Sequence, residues 1–129
     1  MKKWLICLLI ITTLGAASLK RWDLGDTIKQ SVFVGITLVD MAQTIHFVNA
    51  EVPPGYEPRK EINPILGERP SNAKIVAYIG SMCVLHTAVA YVLPNNWMRD
   101  AWQYVWIGAE AASVARNFVI ELRWRAKFD

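Results

Sequence analysis

The sequence predicts an all-α protein: a membrane bundle of four helices, or of three if the N-terminal segment is a signal peptide that is removed. Hydrophobic residues make up 53% of the 129-residue chain, and they are gathered in long blocks between short charged stretches. A helix needs about 20 apolar residues to cross the hydrocarbon core of a bilayer. The six tryptophans lie at or near the ends of these blocks, a position typical of membrane interfaces.

The first apolar block covers residues 4–19 and follows Lys2 and Lys3. A basic start, an apolar run and small residues at its end are typical of a secretory signal peptide. Segment 1–19 could equally remain as a first membrane helix, and the sequence leaves both interpretations open. Residues 20–129 are predicted to form a single helical membrane domain.

Three further helices are predicted, at residues 28–48, 73–93 and 98–122. Asp26 suits the start of the first of them, and Ser71 offers a cap for the second, which Pro94 ends. The long loop at 49–71 contains five prolines and two glycines, a density that excludes regular helix or strand. Within this loop, Ile65 and Leu66 are apolar and are expected to pack back between the helix ends.

The distribution of lysine and arginine predicts how the chain lies in the membrane. If the N-terminus faces the cytoplasm, the inner segments carry most of these residues, as cytoplasmic segments usually do. This pattern predicts a multi-pass membrane protein with a cytoplasmic C-terminus. A soluble helical bundle is the alternative, but it needs polar faces on its helices, and residues 75–93 contain no charged side chain.

Charge and composition restrict the possible partners. A net charge of +3, with basic residues that form no stripe interleaved with aromatics, argues against nucleic-acid binding. The expected partners are the lipid bilayer and either a second copy of the chain or another membrane protein. No cofactor is expected, although a divalent metal is possible at the residues described next.

Three ionisable residues lie inside the predicted membrane helices: Asp40, His86 and Glu110. Such groups are costly at bilayer depth and often mark a functional site. At 1.5 Å per residue, Asp40 and Glu110 lie about 18 Å from the outer ends of their helices and His86 about 10 Å, so the three could meet. As candidate catalytic residues they would bind a divalent metal or relay a proton. The structural alternative is hydrogen bonding between helices.

Seven more polar residues accompany these three, on the same helix faces or in the long loop: Gln43, Thr44, Glu61, Asn63, Ser113, Arg116 and Asn117. The polar faces are expected to point at one another, since lipid excludes them. Asn63-Pro64 starts a turn in the loop. This turn either orients the following helix or contacts a substrate or partner, and Arg116 and Asn117 are expected near it.

Residues 39–44 and 61–67, which carry the Asp40/Thr44 pair and the Glu-x-Asn-Pro turn, together resemble a pattern in small polytopic membrane proteins of bacteria and phages, mostly uncharacterised. In those proteins an intramembrane Asp with a following Thr precedes an acidic residue and an Asn-Pro-aliphatic turn. The resemblance spans about residues 23–117. It implies a polytopic helical fold in the bacterial inner membrane and suggests a phage origin, but it implies no activity.

The sequence therefore favours a non-enzymatic membrane protein that acts through helix–helix contacts with itself or with a host membrane protein. Two alternatives use Asp40, His86 and Glu110 chemically. One is an intramembrane metal-assisted hydrolase, and the other is a small proton-coupled transporter.

Overall fold

A computed structural model describes residues 22–52, 54–55, 60–61 and 63–125, with side chains described as far as residue 121. These residues form three helices: α1 (Leu24–Asn49), α2 (Asn72–Val92) and α3 (Asn96–Arg125). The predicted all-helical class is confirmed, and the described part of the chain contains no strand. The described residues do not support a count of four helices. Segment 1–19, which the sequence predicts to be a signal peptide or a first membrane helix, lies outside the described residues.

The first helix begins four residues earlier than the sequence pattern predicted, because Asp23 and not Asp26 caps it. The Asp23 carboxylate accepts from the Asp26 backbone N–H at 2.8 Å, and the Asp26 carboxylate accepts from the Asp23 N–H at 3.3 Å. This reciprocal pair satisfies two backbone donors that the helix leaves without partners. Ser71 caps α2 as predicted, its hydroxyl accepting from the Lys74 N–H at 3.3 Å.

The second of the three helices is joined to the third by the short turn at Pro94 and Asn95. α1 packs mainly against α3 and to a smaller extent against α2, whereas α2 and α3 share few contacts. α1 is therefore the central element, and α2 and α3 leave space between them away from their common turn.

The loop before α2 is folded back by its own polar groups. The Glu61 carboxylate accepts from the Asn63 N–H at 2.9 Å, and the Asn63 side chain accepts from the Ile65 N–H at 3.0 Å. Leu66 is buried against Ile75 and Ile79 of α2, whereas Ile65 is 63% exposed. The prediction that both apolar residues pack between the helix ends is therefore right for Leu66 and wrong for Ile65, because consecutive side chains of a turn point in different directions.

The distribution of polarity is inverted relative to a water-soluble bundle. Six of the twelve buried residues in the described part of the chain are polar or charged: Asp26, Thr37, Thr44, His86, Arg99 and Gln103. Large apolar side chains instead lie on the outside, among them Val84 at 71% and Val105 at 67% exposure. By length and composition α1 and α2 can each cross a membrane, and only 17% and 22% of their most apolar stretches are buried within the protein.

Candidate functional site: a polar cavity between the helices

Asp40 is the centre of the polar contacts between α1 and α3. Its Oδ1 atom accepts a hydrogen bond from the Ser113 hydroxyl at 3.0 Å and another from the Asn117 side-chain amide at 2.9 Å. Ser113 and Asn117 are four residues apart, so a single face of α3 supplies both donors. The Asp40 Oδ2 atom makes no hydrogen bond to a described residue. The predicted polar faces of these two helices therefore do meet.

Two adjoining cavities border Asp40. The smaller, of about 230 Å³, lies on the loop side between α1 and α3, and Lys60 and Arg116 contribute its positive charge. The larger, of about 520 Å³, extends between α2 and α3, and Glu61 and residues 63–66 of the loop also line it. Four residues line both cavities: Asp40, Thr44, Glu61 and Ser113.

Eight of the ten candidate residues from the sequence line one or both cavities. The smaller cavity adds two of these to the four shared ones, Arg116 and Asn117, and the larger adds two, Glu110 and Asn63. Asp40 interacts electrostatically with Glu61 and with Glu110. Three carboxyl groups from two helices and the loop therefore border one space, although they are far apart in the sequence.

Thr44 is 94% buried, at 6% relative exposure, and it lines both cavities. Hydroxyl groups in helices often donate to the carbonyl four residues earlier, as Thr37 does to the Phe33 carbonyl at 2.8 Å. In the described part of the chain the Thr44 hydroxyl has no such bond. It therefore offers the cavity a polar group that needs a partner.

His86 lies outside this site, although the sequence grouped it with Asp40 and Glu110. Its ring stacks on Phe33 at 3.8 Å and on Trp102 at 5.6 Å between centroids, and its Nδ1 atom lies 3.0 Å from the Gln30 side-chain oxygen. Phe33 precedes Asp40 by seven residues, which is about 10 Å along the helix axis. His86 lines neither cavity, so the structure does not assemble the predicted catalytic or metal-binding trio.

No group of three or more His, Cys, Asp or Glu side chains that could hold a metal ion occurs among the described residues. The remaining predicted residue, Gln43, lies on a different side of α1. Its amide nitrogen is 3.5 Å from the Val114 carbonyl of α3, and it borders an apolar groove with Phe118. Gln43 therefore belongs to the α1–α3 contact and not to the cavities around Asp40.

A second polar cluster, at the opposite end of the bundle, was not predicted. Arg99 is 1% exposed and donates to Asp26 Oδ2 at 2.9 Å, to the Ala90 carbonyl at 2.9 Å and to the Leu93 carbonyl at 3.3 Å. Lys29 also contacts Asp26, at 3.2 Å. A single guanidinium thus joins the start of α1 to carbonyls at the end of α2, which a helix cannot satisfy internally.

This end cluster contains further contacts of the same kind. The buried Gln103 side chain donates to the Asp26 backbone carbonyl at 3.2 Å, and Lys29 pairs with Asp100 of α3. The Trp22 ring lies 5.6 Å from the Arg99 guanidinium carbon. The sequence signal that could have predicted this cluster is the presence of opposite charges at helix ends that are predicted to lie on the same side of the membrane.

Comparison with known proteins adds no relative: no family model matches the chain, and no curated protein or solved structure matches it.

Proposed function

We propose that this chain is a multi-pass protein of the bacterial inner membrane that acts through contacts within the bilayer, with itself or with another membrane protein. The observation that carries the proposal is the inverted polarity, with polar residues buried between helices and apolar residues on the outside. Polar groups inside a membrane bundle face its interior, whereas lipid accepts apolar side chains.

The helix lengths support this proposal. The three helices contain 26, 21 and 30 residues. At 1.5 Å per residue they are about 39, 32 and 45 Å long, which is enough to cross a hydrocarbon core of about 30 Å, and α1 and α2 are also apolar enough to do so. In the proposed orientation the 50–71 loop and the C-terminus face the cytoplasm and the turn at Pro94 faces the outside. Residues 1–19 would act as a signal peptide or as a further membrane helix, and a phage origin remains part of the proposal.

Contacts between proteins are favoured as the mode of action because the outer faces are extensive and apolar. α2 presents Val76, Val84 and Leu85 at 49–71% exposure. Helices in membranes associate by van der Waals packing of their side chains and by hydrogen bonds between polar groups. A partner helix can pack on this surface without disturbing the internal hydrogen bonds of Asp40.

The larger cavity is the observation that favours a second candidate function, transport of a proton or a small solute. Asp40, Glu61 and Glu110 border it and interact electrostatically. This candidate replaces the predicted Asp40–His86–Glu110 set with one in which Glu61 takes the place of His86. A metal-assisted hydrolase receives no comparable support from the described residues.

Cysteine labelling of the full chain in intact cells tests the membrane proposal. Cys7 and Cys83 are first replaced by serine, and a single cysteine is then introduced as Asn95→Cys or Glu51→Cys. A membrane-impermeant maleimide is expected to label the first variant in intact cells and the second only after permeabilisation. Recovery of the chain in the soluble fraction would contradict membrane insertion, and the opposite labelling pattern would contradict the orientation.

Cross-linking in the same cysteine-free background tests the mode of action. Val84→Cys places a thiol on the exposed face of α2, whereas Ile79→Cys, at a position 6% exposed, is the matched control. Oxidation is expected to give a covalent adduct for the first variant and none for the second. Equal or absent adducts in both would count against contacts through this face.

A further inference from the structure

We infer that the larger cavity binds an organic ammonium group at Asp40, with Glu61, Glu110, Trp106 and Tyr78 also on the cavity wall. This inference goes beyond the proposed membrane contacts and does not depend on which way the chain crosses the bilayer. At about 520 Å³ the cavity falls within the range of known small-molecule sites, roughly 300–1,000 Å³.

Charge complementarity is the first argument. The three carboxyl groups line the larger cavity, and no lysine, arginine or histidine is among the described residues that border it. The positive side chains of Lys60 and Arg116 border only the smaller cavity on the loop side. Asp40 is the electrostatic neighbour of both other carboxyl groups, so a bound cation would relieve repulsion between them.

Polar groups without partners supply the second argument. The Asp40 carboxylate uses only Oδ1 for its bonds to Ser113 and Asn117. The Thr44 hydroxyl, on a side chain 94% buried, borders the same space without a hydrogen bond to a described residue. Both residues line the cavity, so a ligand that carries N–H donors could donate to both oxygens.

The aromatic lining indicates an organic cation and not a bare metal ion. Cations bind to the faces of tryptophan and tyrosine rings, and quaternary and primary ammonium groups are recognised in this way. Trp106 is held by neighbouring rings, with centroids 5.5 Å from Trp102 and 6.3 Å from His86. His86 would thus contribute indirectly, as a residue that positions Trp106. Ile79 and Met82 complete an apolar wall for the body of the ligand.

Two sources could supply such a group: a free organic amine, or the amine headgroup of a phospholipid that enters between α2 and α3. The shared chemistry is an ammonium group attached to an apolar body. The purified full chain in nanodiscs of pure phosphatidylglycerol, which contains no amine, provides a starting state free of both.

Calorimetric titration with 2-phenylethylammonium tests the inference, with 2-phenylethanol as the uncharged control ligand. The ammonium is expected to bind at one saturable site, at least about tenfold more tightly than the alcohol, a difference of about 1.4 kcal/mol. Asp40→Asn and Glu110→Gln are each expected to weaken binding about tenfold or more. Glu51→Gln, an exposed carboxylate outside both cavities, is the matched control and should leave affinity unchanged.

Asparagine at position 40 retains an oxygen that can accept from Ser113 and Asn117, so the α1–α3 contact should survive. If that variant nevertheless fails to fold, Glu110→Gln alone decides the test. Absence of saturable binding, equal affinity for the alcohol, or unchanged affinity in the folded variants would overturn the inference, even if the chain is shown to be inserted in membranes.

Addition of phosphatidylethanolamine to the nanodiscs separates the two sources. Competition that lowers the apparent affinity for 2-phenylethylammonium supports a lipid headgroup as the natural occupant. Unchanged affinity in the presence of this lipid supports a free amine.

Discussion

Replacement of Arg99 with methionine is expected to destabilise the protein more than any other single change at the end cluster. Methionine retains an unbranched apolar side chain but removes the charge and all donors. The Asp26 side chain, 6% exposed, loses its bond at 2.9 Å, and the carbonyls of Ala90 and Leu93 lose theirs. The contact between the start of α1 and the end of α2 is therefore the part of the fold that should weaken.

The size of the effect follows from the burial of the pair. Removal of one partner from a buried ion pair usually costs about 3–5 kcal/mol, because the other charge is left uncompensated. Lys29 remains 3.2 Å from Asp26 and offsets part of this cost. We therefore expect a loss of about 3 kcal/mol in the free energy of unfolding, at the lower end of that range.

The measurement is reversible unfolding in mixed detergent micelles, followed by far-ultraviolet circular dichroism. Arg69→Met removes a guanidinium at an exposed loop position and is the matched control, with an expected effect within about 0.5 kcal/mol. The double variant Asp26→Asn/Arg99→Met should lose less free energy of unfolding than the two single variants lose together. Each single variant leaves the opposite charge of the pair uncompensated, whereas the double variant removes both charges. An Arg99→Met loss no larger than that of the control would refute the reasoning.

Three further changes test other parts of the fold by the same unfolding measurement. Gly67→Ala should cost about 1–2 kcal/mol, since φ is +77° there, whereas Gly80→Ala in open helical surroundings should be neutral or stabilising; equal effects would contradict this. His86→Phe should lower the free energy of unfolding by about 0.5–1.5 kcal/mol through the lost Gln30 contact, while the new ring still stacks on Phe33 and Trp102. His86→Ala should lower it clearly more. The reverse order would show that the ring contacts are unimportant. Asp23→Ala should cost about 1 kcal/mol by removing the cap of α1, and no loss would show that the capping pair is not required.

The helices themselves were predictable because their signals are local. An unbroken apolar run, a cap at Ser71 and a stop at Pro94 specify α2 to within one residue at each end. The start of α1 was misplaced because two aspartates, Asp23 and Asp26, both suit a cap, and only the geometry of their reciprocal hydrogen bonds distinguishes them.

The cavity residues were partly predictable from helical periodicity. Residues three or four apart share a face, which grouped Ser113 and Asn117 correctly, and exclusion from lipid turned that face toward Asp40. The prediction for His86 combined depth along the helix axis with the expectation that the polar faces of the helices point at one another. Depth carries no information about the rotation of a helix or the angle at which it crosses its neighbour, and these place His86 against Phe33 and Trp102.

The sequence by itself determined the helical class, the approximate helix limits and the polar side of each helix, since each depends on residues within a few turns of one another. Tertiary structure alone decided which carboxyl groups share a cavity, that Arg99 is buried against Asp26, and that His86 stacks between aromatic rings. These contacts join residues 16 to 73 positions apart. Their formation depends on how whole helices rotate and pack, a balance of many small side-chain contacts that no local pattern encodes.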